Sequence, residues 1–380
     1  MDYDRIIADG LGGLLGAAEI AELACRLAQS GQTLDPGGNN TADLASTGGP
    51  SSLSTLFGPL LLVAGGWRVP KLGVVGRPAG GIDVMSLIPG YRTELSNAEA
   101  RAVLDRCGYV HVMVGPTHAP ADRHLFNMRR ARGAQAVPAL VVASLLAKKL
   151  AMGVRTVVLD VRAAPRGNFG ATFAEARGNA SLFCSVSRSL EIEASCVVTD
   201  ASAPYQPFVG RGEALIALDD VMSGHAEEWL SDHLDACGHW IEATAGFNGH
   251  DRPGRAALAA AFTENVTAQG GDISAFTATA NRARAAPRFI LTAARAGRIS
   301  YDLARLRAAL LIDQGTPSAN RYADGAGVIL RARQGEAIRR GWPVMEVRLE
   351  RADWKRREAD YAACVGYEGR SPQPPEIVRD

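Results

Sequence analysis

The 380-residue sequence has almost no net charge: 41 Lys and Arg stand against 40 Asp and Glu, a formal balance of +1. It therefore carries no electrostatic footprint for a nucleic-acid backbone. The arginines of the C-terminal third, Arg331, Arg333, Arg339 and Arg340, alternate with apolar and acidic residues as on a solvated face. A C-x-x-C pair is also missing. The six cysteines, Cys25, Cys107, Cys184, Cys196, Cys237 and Cys364, are far apart, which argues against a zinc ribbon or a disulfide framework and suits the reduced thiols of a cytoplasm. No stretch approaches ~18 uninterrupted apolar residues, the length a spanning helix needs. The first sixteen residues hold Asp2, Asp4 and Asp9 and too short an apolar run for a signal peptide. The expectation is a cytoplasmic protein with no membrane and no nucleic-acid partner. No internal repeat is visible.

What is present is an ordinary globular composition, 47% hydrophobic and 21% charged, enough for one large core or two moderate ones. Residues 17–30 place Ile20, Leu23, Ala24 and Leu27 on one helical face, and Gly31 supplies the stop. A helix candidate over 56–65 is followed by short strand-like pieces between Gly and Pro turns. Residues 96–108 read as a helix opened by a Ser96 cap, and "YVHVMVG" after it as a buried strand. The clearest helix spans 136–153, with Lys148 and Lys149 near its C-terminal end. It leads into the strand "RTVVLDVRA", then a long helix and another apolar strand. This alternation favours a parallel or mixed sheet. The final third is less regular, with a strand in "PVMEVRLE", a helix over 351–366 and a loose tail.

Two places could carry chemistry. The first, residues 43–55, "DLASTGGPSSLST", has hydroxyl side chains around paired glycines, so amides and Ser/Thr oxygens can turn toward an anion such as phosphate. It equally suits a plain turn, for it lacks the lysine of a P-loop. The second is on the strongest helix, where Ser144 and Lys148 stand four apart on one face, with Arg129 fifteen residues before Ser144. A hydroxyl, an ammonium and a guanidinium that converge can bind a flat ring with two carbonyls, best when it is anionic. Alternatively Lys148 caps its helix and Ser144 bonds back to its own backbone. Two histidine groupings carry less. His225, His233 and His239 have spacings that do not put three metal ligands on one face, and read as an exposed polar helix; His118 and His124 flank "APAD".

These residues resemble the pyrimidine nucleoside phosphorylase family. Its signature run D-K-H-S-T-G-G-V-G-D is matched by Asp43-Leu44-Ala45-Ser46-Thr47-Gly48-Gly49-Pro50-Ser51-Ser52. "RPAGGIDVMSLIPGY" tracks the family's glycine-rich loop and its S-I-P-G-F turn, and "APADRHLFNMRRARGAQAVPALVVASLLAKKLAMG" is closer still. The resemblance runs from about Ala18 to Ser223. It implies an α/β fold like that shared by nucleoside phosphorylases and class II phosphoribosyltransferases, with a small helical domain (1–35 and 116–153), a larger mixed α/β domain (36–115 and 154–365), a loose tail (366–380) and the active site in the cleft between the domains.

The implied function is a pentosyltransferase that cleaves a pyrimidine nucleoside with phosphate to give free base and pentose 1-phosphate. No organic cofactor is implied, phosphate being a co-substrate, and the usual assembly is a homodimer. The family's base-binding trio falls on Arg129, Ser144 and Lys148, with Arg129 and Lys148 carrying the catalysis. Phosphate contacts fall on Ser46, Gly48, Gly49 and Ser54 or Thr55. The family's Lys and His, however, are Leu44 and Ala45, and Gly73 and Ile82 lie near the positions of two further hydroxyls. Arg77 or Lys71 is the expected substitute cation, and His118 a candidate for the missing His. The alternatives are cleavage of a nucleoside or nucleotide with another acceptor, and a non-catalytic pyrimidine-binding relative. The chain also starts close to the last of the family's N-terminal helices, so a reduced small domain is expected.

Overall fold

A computed structural model describes residues 1–49, 53–165, 169–242, 253–315, 323–350 and 354–379. Its main sheet runs Ala42–Ser46, Thr156–Ala163, Glu193–Asp200 and Glu376–Arg379, the first three parallel and the last antiparallel on the edge. Thr156–Ala163 is buried at every residue, as a central parallel strand covered on both faces must be. A parallel pair, Val69–Gly73 with Tyr109–Met113, lies beside this sheet and touches it through a bridge between Thr41 and Arg68. The fold is therefore mixed α/β, as expected.

Local signals set the connections. Ser96 forms a capping box with Glu99 at the start of helix Asn97–Cys107, and Gly108 ends it in the left-handed conformation, φ 72°. Pro138 opens helix Pro138–Ala151, where its missing N–H costs nothing. That helix packs along Ala17–Ala28, with Tyr3–Leu11 and Pro120–Ala131 against the pair.

Two hydrophobic cores form. The larger joins these helices to the parallel strands. The smaller, with Val209, Ile299, Leu306, Val328, Met345 and Tyr361, sits on the antiparallel sheet Phe208–Gly210, Ala326–Leu330, Pro343–Leu349 and Arg288–Thr292. Residues 154–365 thus supply a second sheet as well as most of the first.

Three expectations need correction. The supposed loop 43–55 begins inside strand Ala42–Ser46 and ends inside helix Ser54–Ala64; Pro50, Ser51 and Ser52 lie outside the described residues. The tail is not loose, because Ile377 and Val378 pair with Val197 and Cys196 and complete the sheet edge. Its alternation turns Val378 inward and leaves Ile377 exposed. Helix Glu228–Glu242 is not an exposed polar one: Leu230, His233, Cys237, Trp240 and Ile241 recur at helical spacing and are buried.

Candidate active site

Strands Ala42–Ser46 and Thr156–Ala163 end together, and the second holds the loop that leaves the first. Ser46 is opposite Asp160 in the register. The Thr47 amide donates to the Asp160 carbonyl at 3.0 Å, and the Arg162 amide donates to Thr47 Oγ1 at 3.0 Å. The Arg162 guanidinium donates to the Gly48 carbonyl at 3.0 Å and to Asp160 Oδ2 at 2.9 Å, and lies 4.8 Å from the centre of the Tyr205 ring. Gly48 and Gly49 have φ of 113° and 132°, a region that residues with a Cβ rarely adopt. The described start of the loop is thus tied to the second strand at Thr47 and Gly48.

This loop lines a cavity of about 610 Å³, and so does most of the expected site. Ser46, Gly48, Gly49, Thr55, Arg77, Arg129, Ser144 and Lys148 all face it. Ser54 does not. Its buried hydroxyl donates to Asp160 Oδ2 at 3.0 Å, so Thr55 is the hydroxyl of this helix start that lines the space.

Within the base trio, Arg129 donates to the carbonyls of Ala134, Gln135 and Leu140, which fixes the guanidinium and leaves two of its five N–H groups. Burial lowers its pKa to about 10. Lys148 uses all three protons, on Asp122 Oδ2 at 2.6 Å, the Ser144 carbonyl at 2.7 Å and Ser144 Oγ at 2.9 Å. Because Ser144 Oγ accepts from Lys148, its own O–H is left to donate outward. Lys148 thus bonds back toward its own helix and polarises the Ser144 hydroxyl, while a bond from Ser144 to its own backbone is not among the hydrogen bonds of the described residues.

The two substitute cations differ. Lys71 is buried, donating to Asp43 Oδ1 at 2.5 Å and to the Leu44 carbonyl at 2.7 Å, while Lys149 donates to Asp43 Oδ2. Burial pushes the Asp43 carboxyl up, but Lys149 and then Lys71 outweigh it and hold it well below the usual carboxylate range. The cluster sets two amino groups against one carboxylate beside the loop, and burial lowers the Lys71 pKa while Asp43 opposes that shift. Arg77 is held differently. Its amide donates to Asp83 and its carbonyl accepts from Arg211, but its guanidinium has no hydrogen bond or ion pair among the described residues. Leu44, at the family's lysine position, is fully buried; a Cβ on Gly58 of the neighbouring helix would meet its Cβ at 2.6 Å.

The lining residues His111 and Arg162 were not singled out in the sequence, and His233 was read there as one of three histidines on an exposed helix. His111 is the register partner of Lys71; Tyr109 O–H sits 3.1 Å from its Nδ1, and burial and then Lys71 hold it well below the usual histidine pKa. His233 is stacked on Tyr205 at 6.1 Å and is lowered to about 3 by burial and Arg162. Both are neutral at pH 7. His111 and Arg162 each sit inside mostly apolar strand runs, and that was the available signal, since a polar residue on a buried strand is rarely idle. His118 is buried against the Gln32 carbonyl and does not line the cavity. No group of three metal-ligating side chains occurs among the described residues.

The fold and the cleft define a class first. The chain superposes on an anthranilate phosphoribosyltransferase from Thermus thermophilus with a TM-score of 0.50 and 15% identity, over 75% of this chain and 96% of that one, a likeness of fold alone. No family model matches the chain. It is 26% identical over 351 residues to a pyrimidine-nucleoside phosphorylase of Bacillus subtilis, covering 88% of this chain and 80% of the relative. With human thymidine phosphorylase it shares 27% over 95% and 78% of the two chains. With the thymidine phosphorylase of Sinorhizobium medicae it shares 29%, and there the match spans only 55% of the relative's length. The chain is a divergent relative of the pyrimidine nucleoside phosphorylases.

Proposed function

We propose that this protein is a pentosyltransferase that cleaves a pyrimidine nucleoside with phosphate, releasing the base and a pentose 1-phosphate. The observation that carries the reading is that one cavity holds both halves of the chemistry, the Arg129, Ser144 and Lys148 set and the Ser46 to Gly49 loop with its positive surroundings. As the C1′–N bond breaks, its electron pair goes to the ring. The two remaining Arg129 N–H groups and the Ser144 hydroxyl donate to the ring oxygens and nitrogen that gain charge, and Lys148 strengthens the Ser144 donor. Such donors favour the departing anion over the bound nucleoside, which is what accelerates the step. A phosphate oxygen then forms the new bond to C1′.

The acceptor phosphate is held by the Ser46 hydroxyl, the Gly48 and Gly49 amides and Thr55, with Lys71 and Arg77 in place of the family lysine. Lys71 keeps one proton free after its two bonds. Neutral His111, beside Lys71, takes the place that Ala45 leaves empty. We assign residues 1–35 and 116–153 to the smaller lobe and take the assembly to be a cytoplasmic homodimer with no organic cofactor; a monomer mass by light scattering would remove the dimer. No helix among the described residues is long and apolar enough to cross a membrane.

The test is to incubate the protein with uridine, thymidine, deoxyuridine and the matching 5′-monophosphates, with and without phosphate, and separate the products by chromatography. Base release that requires phosphate is the expected result. Release at the same rate without phosphate would replace the acceptor, and no release from any pyrimidine would end the reading.

A further inference from the structure

The cavity is far more positive than the chain around it. Among the described residues its lining includes eight cationic side chains, Lys71, Arg77, Arg129, Arg130, Lys148, Lys149, Arg162 and Arg307, against two carboxylates, Asp43 and Asp302. Asp43 is spent on Lys71 and Lys149, and Asp302 caps helix Leu303–Asp313 by accepting from the Arg305 amide. Arg129 is anchored on three carbonyls, Lys148 is paired with Asp122, and Arg162 with Asp160. That leaves Arg77, Arg130 and Arg307, whose guanidiniums have no hydrogen bond or ion pair among the described residues.

These three line the same cavity. Arg77 is lowered by burial, then by Arg307 and, after Asp83 has opposed them, by Arg162; Arg307 is lowered by burial and then by Arg130. Arg162 at the loop, Arg77, Arg307 and the exposed Arg130 thus line one cavity and repel one another in pairs. Asp83 offsets part of this repulsion at Arg77, no ion pair among the described residues offsets it at Arg130 or Arg307, and a ligand carrying negative charge relieves it. One acceptor phosphate against the loop, Lys71 and Arg77 does not account for Arg130 and Arg307, which come from helices Pro120–Ala131 and Leu303–Asp313 on separate parts of the chain.

We propose that Arg130 and Arg307 form a second anion subsite, with Arg77 between it and the acceptor, and that it takes a phosphate monoester carried by the substrate. Resting on the proposed pentosyl transfer, this makes the substrate a pyrimidine nucleoside 5′-monophosphate rather than a free nucleoside. The bonds exchanged are unchanged: C1′–N breaks, C1′–O to the acceptor phosphate forms, and the 5′-phosphate stays on the sugar, so the product is a pentose 1,5-bisphosphate.

The experiment compares kcat/KM for phosphorolysis of uridine and uridine 5′-monophosphate in the native protein, Arg307→Gln and Arg130→Gln. Neither arginine has a hydrogen-bond or ion-pair partner among the described residues to strand, so both variants should fold. A charge-assisted contact should give the monophosphate a preference of about tenfold to a hundredfold, and Arg307→Gln should bring that ratio close to one. Uridine cleaved as well as its monophosphate, or a preference untouched in both variants, overturns the subsite while leaving the transferase reading intact. If neither compound is cleaved, the transferase reading fails, and calorimetry decides the subsite alone. Uridine 5′-monophosphate must then bind more tightly than uridine and lose that advantage in Arg307→Gln; equal binding overturns it.

Discussion

Replacing Lys71 with methionine removes one of the two ammoniums that flank Asp43 and leaves an almost isosteric stem in its place. Asp43 and Lys149 then remain as a balanced buried pair, and the acceptors stranded are Asp43 Oδ1 and the Leu44 carbonyl. Leaving buried acceptors unmade costs about 1 to 3 kcal/mol, and because Lys71 lines the cavity, water can reach part of the gap. Asp43→Asn is the contrasting change. It leaves two buried ammoniums without a counter-charge, which costs about 3 to 5 kcal/mol. Urea unfolding should therefore place Asp43→Asn well below Lys71→Met in stability. If Lys71 supplies the cation missing at Leu44, Lys71→Met should also raise the KM for phosphate by about tenfold to a hundredfold while the KM for nucleoside moves little. A phosphate KM within twofold of the native value in a folded Lys71→Met protein would refute the substitution of Lys71 for the family lysine.

Other outcomes follow from the same geometry. Ser54→Ala should lower stability by about 1 kcal/mol or more through the loss of its bond to Asp160 and leave the phosphate KM alone, whereas Thr55→Val should raise the phosphate KM, both read by urea unfolding and phosphate titration. Leu44→Lys should not restore a family site but should cost several kcal/mol, since it puts an ammonium in the core against Gly58; a fully stable Leu44→Lys protein with improved phosphate binding would contradict this. His233 is neutral in the folded protein down to a pKa of about 3, against 6.5 when unfolded, so below pH 6.5 the unfolded state binds more protons. Stability should fall by up to ~1.4 kcal/mol per pH unit between 6.5 and about 3, and His233→Phe should flatten that slope in acid unfolding curves.

Much of this was legible in the sequence because short-range rules dominate where it was. The Ser96 box, the helix with Pro138 near its start and the buried run of Thr156–Ala163 each follow from local spacing. The trio of Arg129, Ser144 and Lys148 was reached by resemblance, and it lines one cavity because helices Pro120–Ala131 and Pro138–Ala151 are neighbours. What stayed hidden depended on distant partners. Nothing near Glu376–Arg379 announces an edge strand until Glu193–Asp200 offers it a ladder. His233 read as one of three scattered histidines, and only the packing of its helix against Ser54–Ala64 and the Tyr205 stack bring it to the cavity. Arg307 lies where the resemblance has become faint, and the role proposed for it depends on a cavity whose other cations come from helices and strands far earlier in the chain.

The measurement closest to the central claim is phosphorus NMR of the native protein with uridine or its 5′-monophosphate and inorganic phosphate, followed while free uracil is quantified in the same tube. A new sugar-phosphate ester resonance that grows in step with uracil, and does not appear when phosphate is left out, is the expected result. Uracil released without a new ester, or at a rate indifferent to phosphate, would contradict a rebuilt phosphate site in this cavity.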